Sequence, residues 1–166
     1  MKQISLTHGF VTLVDDEDYA TLVKYRWFAR HSGNSLYAQR NERGPEPRGT
    51  VHMHRCIIGC PEGMEVDHVN HNGLDNRRSN LRICTKTQNQ ANRRKGRGTS
   101  KYKGVTFRHD RYRWEARIRA KGRLIQLGTF SDERSAALAY DYAAVGHFGA
   151  FACTNNPFGT FLGEQT

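Results

Sequence analysis

The sequence predicts an α+β protein built as small modules in series: a β-rich N-terminal segment, a β–β–α centre, and a three-stranded antiparallel sheet packed on one helix. Three observations carry this. Only 37% of the 166 residues are hydrophobic and 16 are glycine, which suits modest separate cores better than one large continuous core. Residues 112–120 alternate apolar and polar side chains, the period-two pattern of a strand with one packed face. Helix-start chemistry recurs at residues 15–18, 85–88 and 131–133.

Taken in order, Ile4-Ser5-Leu6 and residues 10–14 read as strands joined by the turn Thr7-His8-Gly9. Asp15, Asp16, Glu17 and Asp18 lie where a helix N-terminus favours negative charge, and Tyr19, Leu22 and Val23 follow at helical spacing. The acids are therefore read as capping rather than as a metal site. Residues 26–30 and 36–40 flank Gly33-Asn34 as a hairpin, and Arg26, Arg30, Arg40, Arg43 and Arg48 could reach phosphates from it. Residues 42–49, with Pro45 and Pro47, are expected to be a loop. Residues 50–59 suit either a short helix or a strand, and Pro61-Glu62-Gly63 breaks them.

Residues 64–68 then read as a strand, residues 70–79 as a loop rich in Asn, Asp and Gly, and Leu81-Arg82-Ile83-Cys84 as the return strand. Thr85-Lys86-Thr87-Gln88 has the form of a capping box, so a helix starts there with Asn89 in its second turn. Residues 92–101 read as a flexible basic linker. Beyond it, a strand over residues 102–108 offers Val105 and Phe107 to a core and Thr106 and Arg108 to the opposite face. In the next strand Trp114, Ala116, Ile118 and Ala120 point inward, while Arg113, Glu115, Arg117 and Arg119 point outward. Lys121-Gly122 is a tight turn into residues 123–128. Ser131, followed by Asp132 and Glu133, caps a helix to about residue 145 with Gly146 beyond it. Its alanines would let it lie close on the sheet.

The net charge of +10 is concentrated. Residues 91–130 carry thirteen Lys or Arg against Asp110 and Glu115, and the rest of the chain is close to neutral. Such a footprint favours a polyanion, because neutralising phosphates releases condensed counterions. A membrane surface is disfavoured, since the stretch has no basic amphipathic helix and no run approaches a membrane span. With no signal-peptide core after Met1, the expected location is cytoplasmic, in a phage or bacterial setting, and the four cysteines are expected to be reduced. Cys56, Cys60 and Cys84 lack the paired C-x-x-C form of a zinc site, so no structural zinc is expected.

The densest chemistry lies between residues 65 and 89. Adjacent strand residues point to opposite sides, so Asp67 can hold a cation while His68 addresses a water. A hard cation such as Mg²⁺, or Mn²⁺ in its place, prefers carboxylate and amide oxygens and keeps positions open for phosphate. A histidine with an ordinary pKa of roughly 6.5 suits a general base near neutral pH.

Met53-His54-Arg55, Asp67-His68, Leu74-Asp75-Asn76-Arg77, Ser79-Asn80-Leu81-Arg82 and Asn89 together resemble the HNH endonucleases of phage and intron homing type. The separations of His68 from Asn80 and Asn89 are those of that family. The resemblance covers residues 50–94 and implies a ββα-metal core, with Asp67 and Asn89 as metal ligands and His68 as the base that deprotonates water. Asn80 would hold the loop and orient the site, and cleavage would leave 5′-phosphate and 3′-hydroxyl ends. One departure is His71, at a position where the family commonly has glycine; it is an exposed loop residue or a phosphate contact.

Tyr102-Lys103-Gly104-Val105, residues 114–119, Leu127-Gly128-Thr129-Phe130 and residues 136–141 resemble the AP2/ERF DNA-binding domain. That resemblance implies a sheet lying in the major groove, with Arg108 and Arg119 at basic contact positions. Arg117 and Gln126 stand where plant members often have Glu and Trp, so their target sequence does not carry over. An arginine face with no compensating anion would repel itself, which also points to DNA.

The sequence thus predicts five segments: 1–50 contacting DNA, a nuclease core over 51–94, a linker over 95–101, an AP2-like domain over 102–157 and a tail over 158–166. The expected function is a metal-dependent, site-specific homing endonuclease on double-stranded DNA, monomeric or dimeric. Arg93, Arg94, Lys95, Arg97, Thr106, Arg108, Arg111, Arg113, Arg117, Arg119 and Gln126 are its expected DNA contacts. The alternatives are a DNA-binding regulator with a non-catalytic HNH scaffold, and a zinc module using Cys56, Cys60 and Cys84.

Overall fold

Short amphipathic strands cannot bury an apolar face alone, and in this chain they do so in two separate groups. The computed structural model describes residues 1–33, 35–42, 49–96 and 98–156, and the chain divides into units Met1–Asn89 and Gln90–Thr166. Asn34, Arg43, Pro45, Pro47, Arg48, Arg97 and residues 157–166 lie outside the described residues. So do the tip of the hairpin, most of the loop expected over 42–49, one expected DNA contact and the tail.

In the first unit, β1 (Lys2–Ser5) and β2 (Val11–Val14) pair antiparallel, and α1 (Asp16–Leu22) follows. β3 (Phe28–Ser32), β4 (Ser35–Asn41) and β5 (Thr50–His52) form an antiparallel sheet in that order. The either-or over residues 50–59 resolves as both: β5 runs directly into α2 (Met53–Ile58), which Gly59 ends in the left-handed conformation. β6 (Glu65–His68) pairs with β7 (Leu81–Cys84), and α3 (Lys86–Asn92), whose first four residues belong to this unit, starts from the expected capping box. Thr85 Oγ1 accepts from the Gln88 N–H at 3.3 Å, and Gln88 Oε1 accepts from the Thr85 N–H at 2.8 Å.

A boundary at residue 50 does not separate the core. Ile4, Leu6, Val14, Leu22, Trp27 and Ala38 pack in one cluster with Met53, Ile57, Val66 and Leu81. Backbone bonds reinforce this: Leu13 N–H donates to Leu74 O at 2.9 Å and Asn76 N–H to Leu13 O at 2.8 Å, so β2 grips the long loop between β6 and β7. The acidic start of α1 also differs from its reading as a cap. Asp15 makes no side-chain cap; its Oδ2 accepts from Arg78 N at 2.7 Å, and Asp18 and Glu17 pair with the Arg78 guanidinium. The acids still lie at the favourable end of the helix dipole. Their partner comes from sixty residues on, which spacing alone cannot reveal.

In the second unit, β8 (Val105–Arg108), β9 (Arg113–Ala120) and β10 (Arg123–Phe130) form an antiparallel meander in the order β10-β9-β8. Lys121 and Gly122 both have positive φ, 49° and 74°, as the two-residue turn between β9 and β10 requires. α4 (Glu133–Phe148) backs the sheet. Its cap is Asp132, which accepts from Ser135 N at 2.8 Å, rather than Ser131, and Gly146 lies inside the helix, which ends at Gly149. The alanine-rich face of this sixteen-residue helix, packed on the sheet, outweighs the cost of one internal glycine, about 1 kcal/mol. Ala116, Ala136 and Ala144 are fully buried. Gly104, at φ 74°, passes so close to the Tyr140 ring that a Cβ would lie 1.9 Å from it. Ser100, expected in the flexible linker, is instead buried, donating to Glu133 Oε1 at 2.7 Å.

Candidate active site

Strand alternation sorts the residues of β6. Glu65 and Asp67 share one face; Val66 and His68 share the other. On the first face, Asp67 is 5% exposed and lies opposite Arg82 in register. Arg82 Nη2 reaches Asp67 Oδ2 at 2.7 Å and Nε reaches the same oxygen at 2.8 Å. Asn89 comes to this face from α3, its Nδ2 donating to Glu65 Oε2 at 2.6 Å. With one amide group committed to Glu65 through nitrogen, the Asn89 Oδ1 is the end left for a cation. Cys84 lies across from Glu65, and burial with the Asp67 and Glu65 carboxylates pushes its thiol up to about 11.

On the second face His68 is 5% exposed, and its Nε2 is 3.2 Å from Asn76 Oδ1. The edge of His54 meets it at 5.2 Å between ring centroids, and Tyr37 packs at 5.7 Å from His68 and 5.6 Å from His54. Burial pushes His68 below its ordinary value, opposed by the bond to Asn76 and the charges of Asp67 and Asp75. Burial pushes His54 much further, to about 3, helped by His68, His52 and Arg55. Its Nδ1 is buried with no hydrogen-bond partner among the described residues.

The loop between β6 and β7 is held by its own polar side chains. Asn80 Oδ1 accepts from Asn70 N at 2.9 Å while its Nδ2 donates to Asp75 O at 2.7 Å, spanning the loop with one amide. Asp75 accepts two bonds from Arg77 and one from Asn70. Gly73 fits because a Cβ there would lie 2.3 Å from Leu36 O and 2.7 Å from the Tyr37 ring. His71, read as an exposed loop residue, is half-buried with φ 65°, a backbone that glycine adopts without cost. That conformation accounts for glycine being common at this place.

The donors on the Asp67 face are carboxylate and amide oxygens, which suit a hard divalent cation. Among the described residues no three His, Cys, Asp or Glu side chains converge as a metal site, so the fit rests on Asp67, Glu65 and the Asn89 amide together.

The other expected contacts gather in the second unit. Thr106, Arg108, Arg113, Arg117, Arg119 and Gln126 share the sheet face turned away from α4, by register and alternation. Glu115 lies among them, 6% exposed, paired with Arg117 and 3.8 Å from Arg108; Asp110 pairs with Arg108 and Arg111. The face therefore carries part of its own compensation, which corrects the argument that its arginines need an external anion. Arg113 and Arg119 have no carboxylate partner among the described residues. Arg111 lies in the β8–β9 turn, and Arg93, Arg94 and Lys95 follow α3. In the first unit, Arg26 and Arg30 are exposed, whereas Arg40 stacks over Tyr25 at 4.4 Å and is committed to the protein.

Sequence reasoning assigned no role to Glu65 or Thr12, and it placed Asn76 and Arg82 in the family-like motifs without assigning either a function. Glu65 was legible as the same-face neighbour of Asp67; Thr12 was not, because it arrives from another strand.

Residues 37–91 match the HNH endonuclease family model. Over 155 residues the chain is 29% identical to an uncharacterized HNH endonuclease of Acanthamoeba polyphaga mimivirus, covering 90% of this chain and 75% of that protein. An alignment of that length takes in both units. Over 68 residues it is 46% identical to an ethylene-responsive transcription factor of Arabidopsis thaliana, and over 61 residues 51% identical to an AP2-like ethylene-responsive transcription factor of the same plant. These alignments cover 40% and 36% of this chain but only 16% and 11% of the plant proteins. The matches support a nuclease function joined to an AP2/ERF-like segment. No helix among the described residues is long and apolar enough to cross a membrane.

Proposed function

We propose that this chain is a metal-dependent DNA endonuclease, with hydrolysis carried out in the first unit and the sheet of the second unit binding double-stranded DNA. The observation that carries the reading is the meeting of β6 and α3. Asp67 and His68 lie side by side on one strand, and Asn89 is held on the Asp67 face by Glu65. HNH and AP2-like domains both bind DNA, and the concentrated positive charge of the chain suits that substrate.

Asp67 and Asn89, with Glu65 behind them, would hold the cation. Bound there, it supplies Lewis-acid stabilisation of the charge that builds on the phosphate. His68 takes the proton of the attacking water, and its burial favours the neutral imidazole that can accept it. Asn80 keeps the loop closed behind His68. His71 adds a ring at the loop's edge for a phosphate oxygen. On the second unit, Arg108, Arg113, Arg117 and Arg119 meet phosphates or base edges, with Thr106 and Gln126 beside them, while Arg93, Arg94, Lys95, Arg97 and Arg111 track the backbone. Such a pairing of cutter and reader suits a site-specific homing endonuclease, free-standing or intron-encoded, and a single core of this kind cuts one strand.

The test is incubation of supercoiled plasmid with the protein and Mg²⁺ or Mn²⁺. Nicked circles are the expected product, and His68→Ala should slow their formation by about 10²–10⁴-fold. Plasmid left intact across all salt concentrations, or His68→Ala cutting as fast as the native chain, sinks the nuclease reading. One observation favours a rival. Arg82 neutralises Asp67, and a scaffold that only binds DNA would keep such a pair. Tight binding without nicking would support it.

A further inference from the structure

A general base needs more than a neutral imidazole: the lone pair must lie on the nitrogen that faces the water. We propose that Asn76, clamped by Thr12 of β2, is the positioning residue that fixes the tautomer of His68, placing the proton on Nε2 and the basic lone pair on Nδ1. The inference rests on the nuclease reading for its functional consequence, but not for its geometry.

Thr12 Oγ1 lies 2.7 Å from Leu74 O. Two oxygens that close repel unless a proton lies between them, so the single hydroxyl proton of Thr12 is committed to that carbonyl. Oγ1 then has only lone pairs to offer its other neighbour, Asn76 Nδ2 at 2.8 Å, and the NH₂ end of the Asn76 amide must face it. The carbonyl end consequently faces His68, with Oδ1 3.2 Å from Nε2. An amide oxygen cannot donate, so Nε2 carries the hydrogen and the lone pair is on Nδ1.

Thr12 and Asn76 are both 0% exposed, and the edge-on His54 ring and Tyr37 hold the plane of the imidazole. No solvent competes for these bonds, so the relay has one self-consistent proton arrangement. During cleavage the Nδ1 lone pair takes a proton from water as the water oxygen bonds to phosphorus. The P–O3′ bond breaks with its electron pair leaving on oxygen, which takes a proton from solvent. The resulting imidazolium keeps its Nε2–H donated to Asn76 Oδ1 throughout.

The experiment is two-bond ¹H–¹⁵N spectroscopy on the full chain labelled with ¹⁵N-histidine, at neutral pH, with His68→Ala assigning the signal. The expected His68 pattern is the Nε2–H tautomer. Thr12→Val keeps the shape of the side chain and removes the hydroxyl; Thr12→Ser keeps the hydroxyl. The valine variant should show a mixed or reversed tautomer and about 10–100-fold lower kcat at unchanged KM, and the serine variant should retain the native pattern and most of the rate. Asn76→Ala should behave like Thr12→Val. A native Nδ1–H ring, or Thr12→Val matching the native chain in both tautomer and kcat, overturns the proposal. If the native ring is Nε2–H and changes with Thr12→Val but no metal supports nicking, the nuclease reading falls and the positioning role stands.

Discussion

In the first unit Thr12, Asp67, Asp75, Asn76 and Asn80 are 6% exposed or less and are bonded to neighbouring side chains or to the backbone around them, whereas in the second unit Arg113, Arg119 and Gln126 stand exposed on an open sheet face. The first arrangement suits chemistry that needs groups fixed within a fraction of an ångström, because buried hydrogen bonds admit one geometry. The second suits a surface that must give up its water to another molecule. Where the polar groups are placed also decides what each unit loses when one is removed.

The largest stability loss should follow Asn80→Ala, which strips Asn70 N–H and Asp75 C=O of their partner in one step. About 1–3 kcal/mol is expected from leaving a buried carbonyl and a part-buried N–H unpaired, read by urea unfolding of the first unit, with the second unit's transition unmoved. A loss below about 0.5 kcal/mol would mean that water replaces Asn80 freely and that the loop is not sealed. In the second unit the comparable sensitivity is in the backbone. Gly104→Ala forces a Cβ against Tyr140 at positive φ and should cost about 1–3 kcal/mol, measured the same way. A neutral result would show that Tyr140 can move aside.

Next comes pH. His54 faces Tyr37 from β4, His52 at the end of β5, Arg55 from its own helix and His68 from β6, and its folded pKa is depressed to about 3. A histidine with a depressed folded pKa contributes stability that is complete above its unfolded value of 6.5 and is lost as pH falls toward the folded value. The first unit should therefore weaken below that pH by up to about 1.4 kcal/mol per unit from His54 alone. His54→Phe should flatten that slope between the two values; an unchanged slope would assign it elsewhere. The smallest stability effect belongs to the exposed face. Arg119→Ala should leave unfolding within about 0.5 kcal/mol yet lower the salt dependence of DNA binding by about one counterion. An unchanged salt slope would remove Arg119 from the interface.

Legibility of the sequence divides along the same line. The second unit was readable almost throughout, since β9 alternates, Lys121-Gly122 turns and the alanine helix packs on the sheet, all of which are local rules. Beside small shifts at the helix ends and the burial of Ser100, its main departure is the arginine face: Glu115 is not an ordinary solvated residue, because Arg117 and Arg108 close over it. In the first unit the strand–loop–strand–helix order over residues 65–92 was legible from the capping box and the Asn-rich loop. The contribution of β2 to it was not.

By itself, then, the sequence determined the α+β class, the neighbouring placement of Asp67 and His68, and the side of the second sheet that carries charge. Each follows from periods of two and 3.6 residues and from turn chemistry, which act over a few positions. Only the tertiary structure decided that Thr12 meets Asn76 across 64 positions, that Arg78 rather than a helix cap takes the acids of α1, and that residues 1–50 share a core with those after them. Such pairings depend on which faces are brought together when strands collapse on a common core, and no local period encodes that choice.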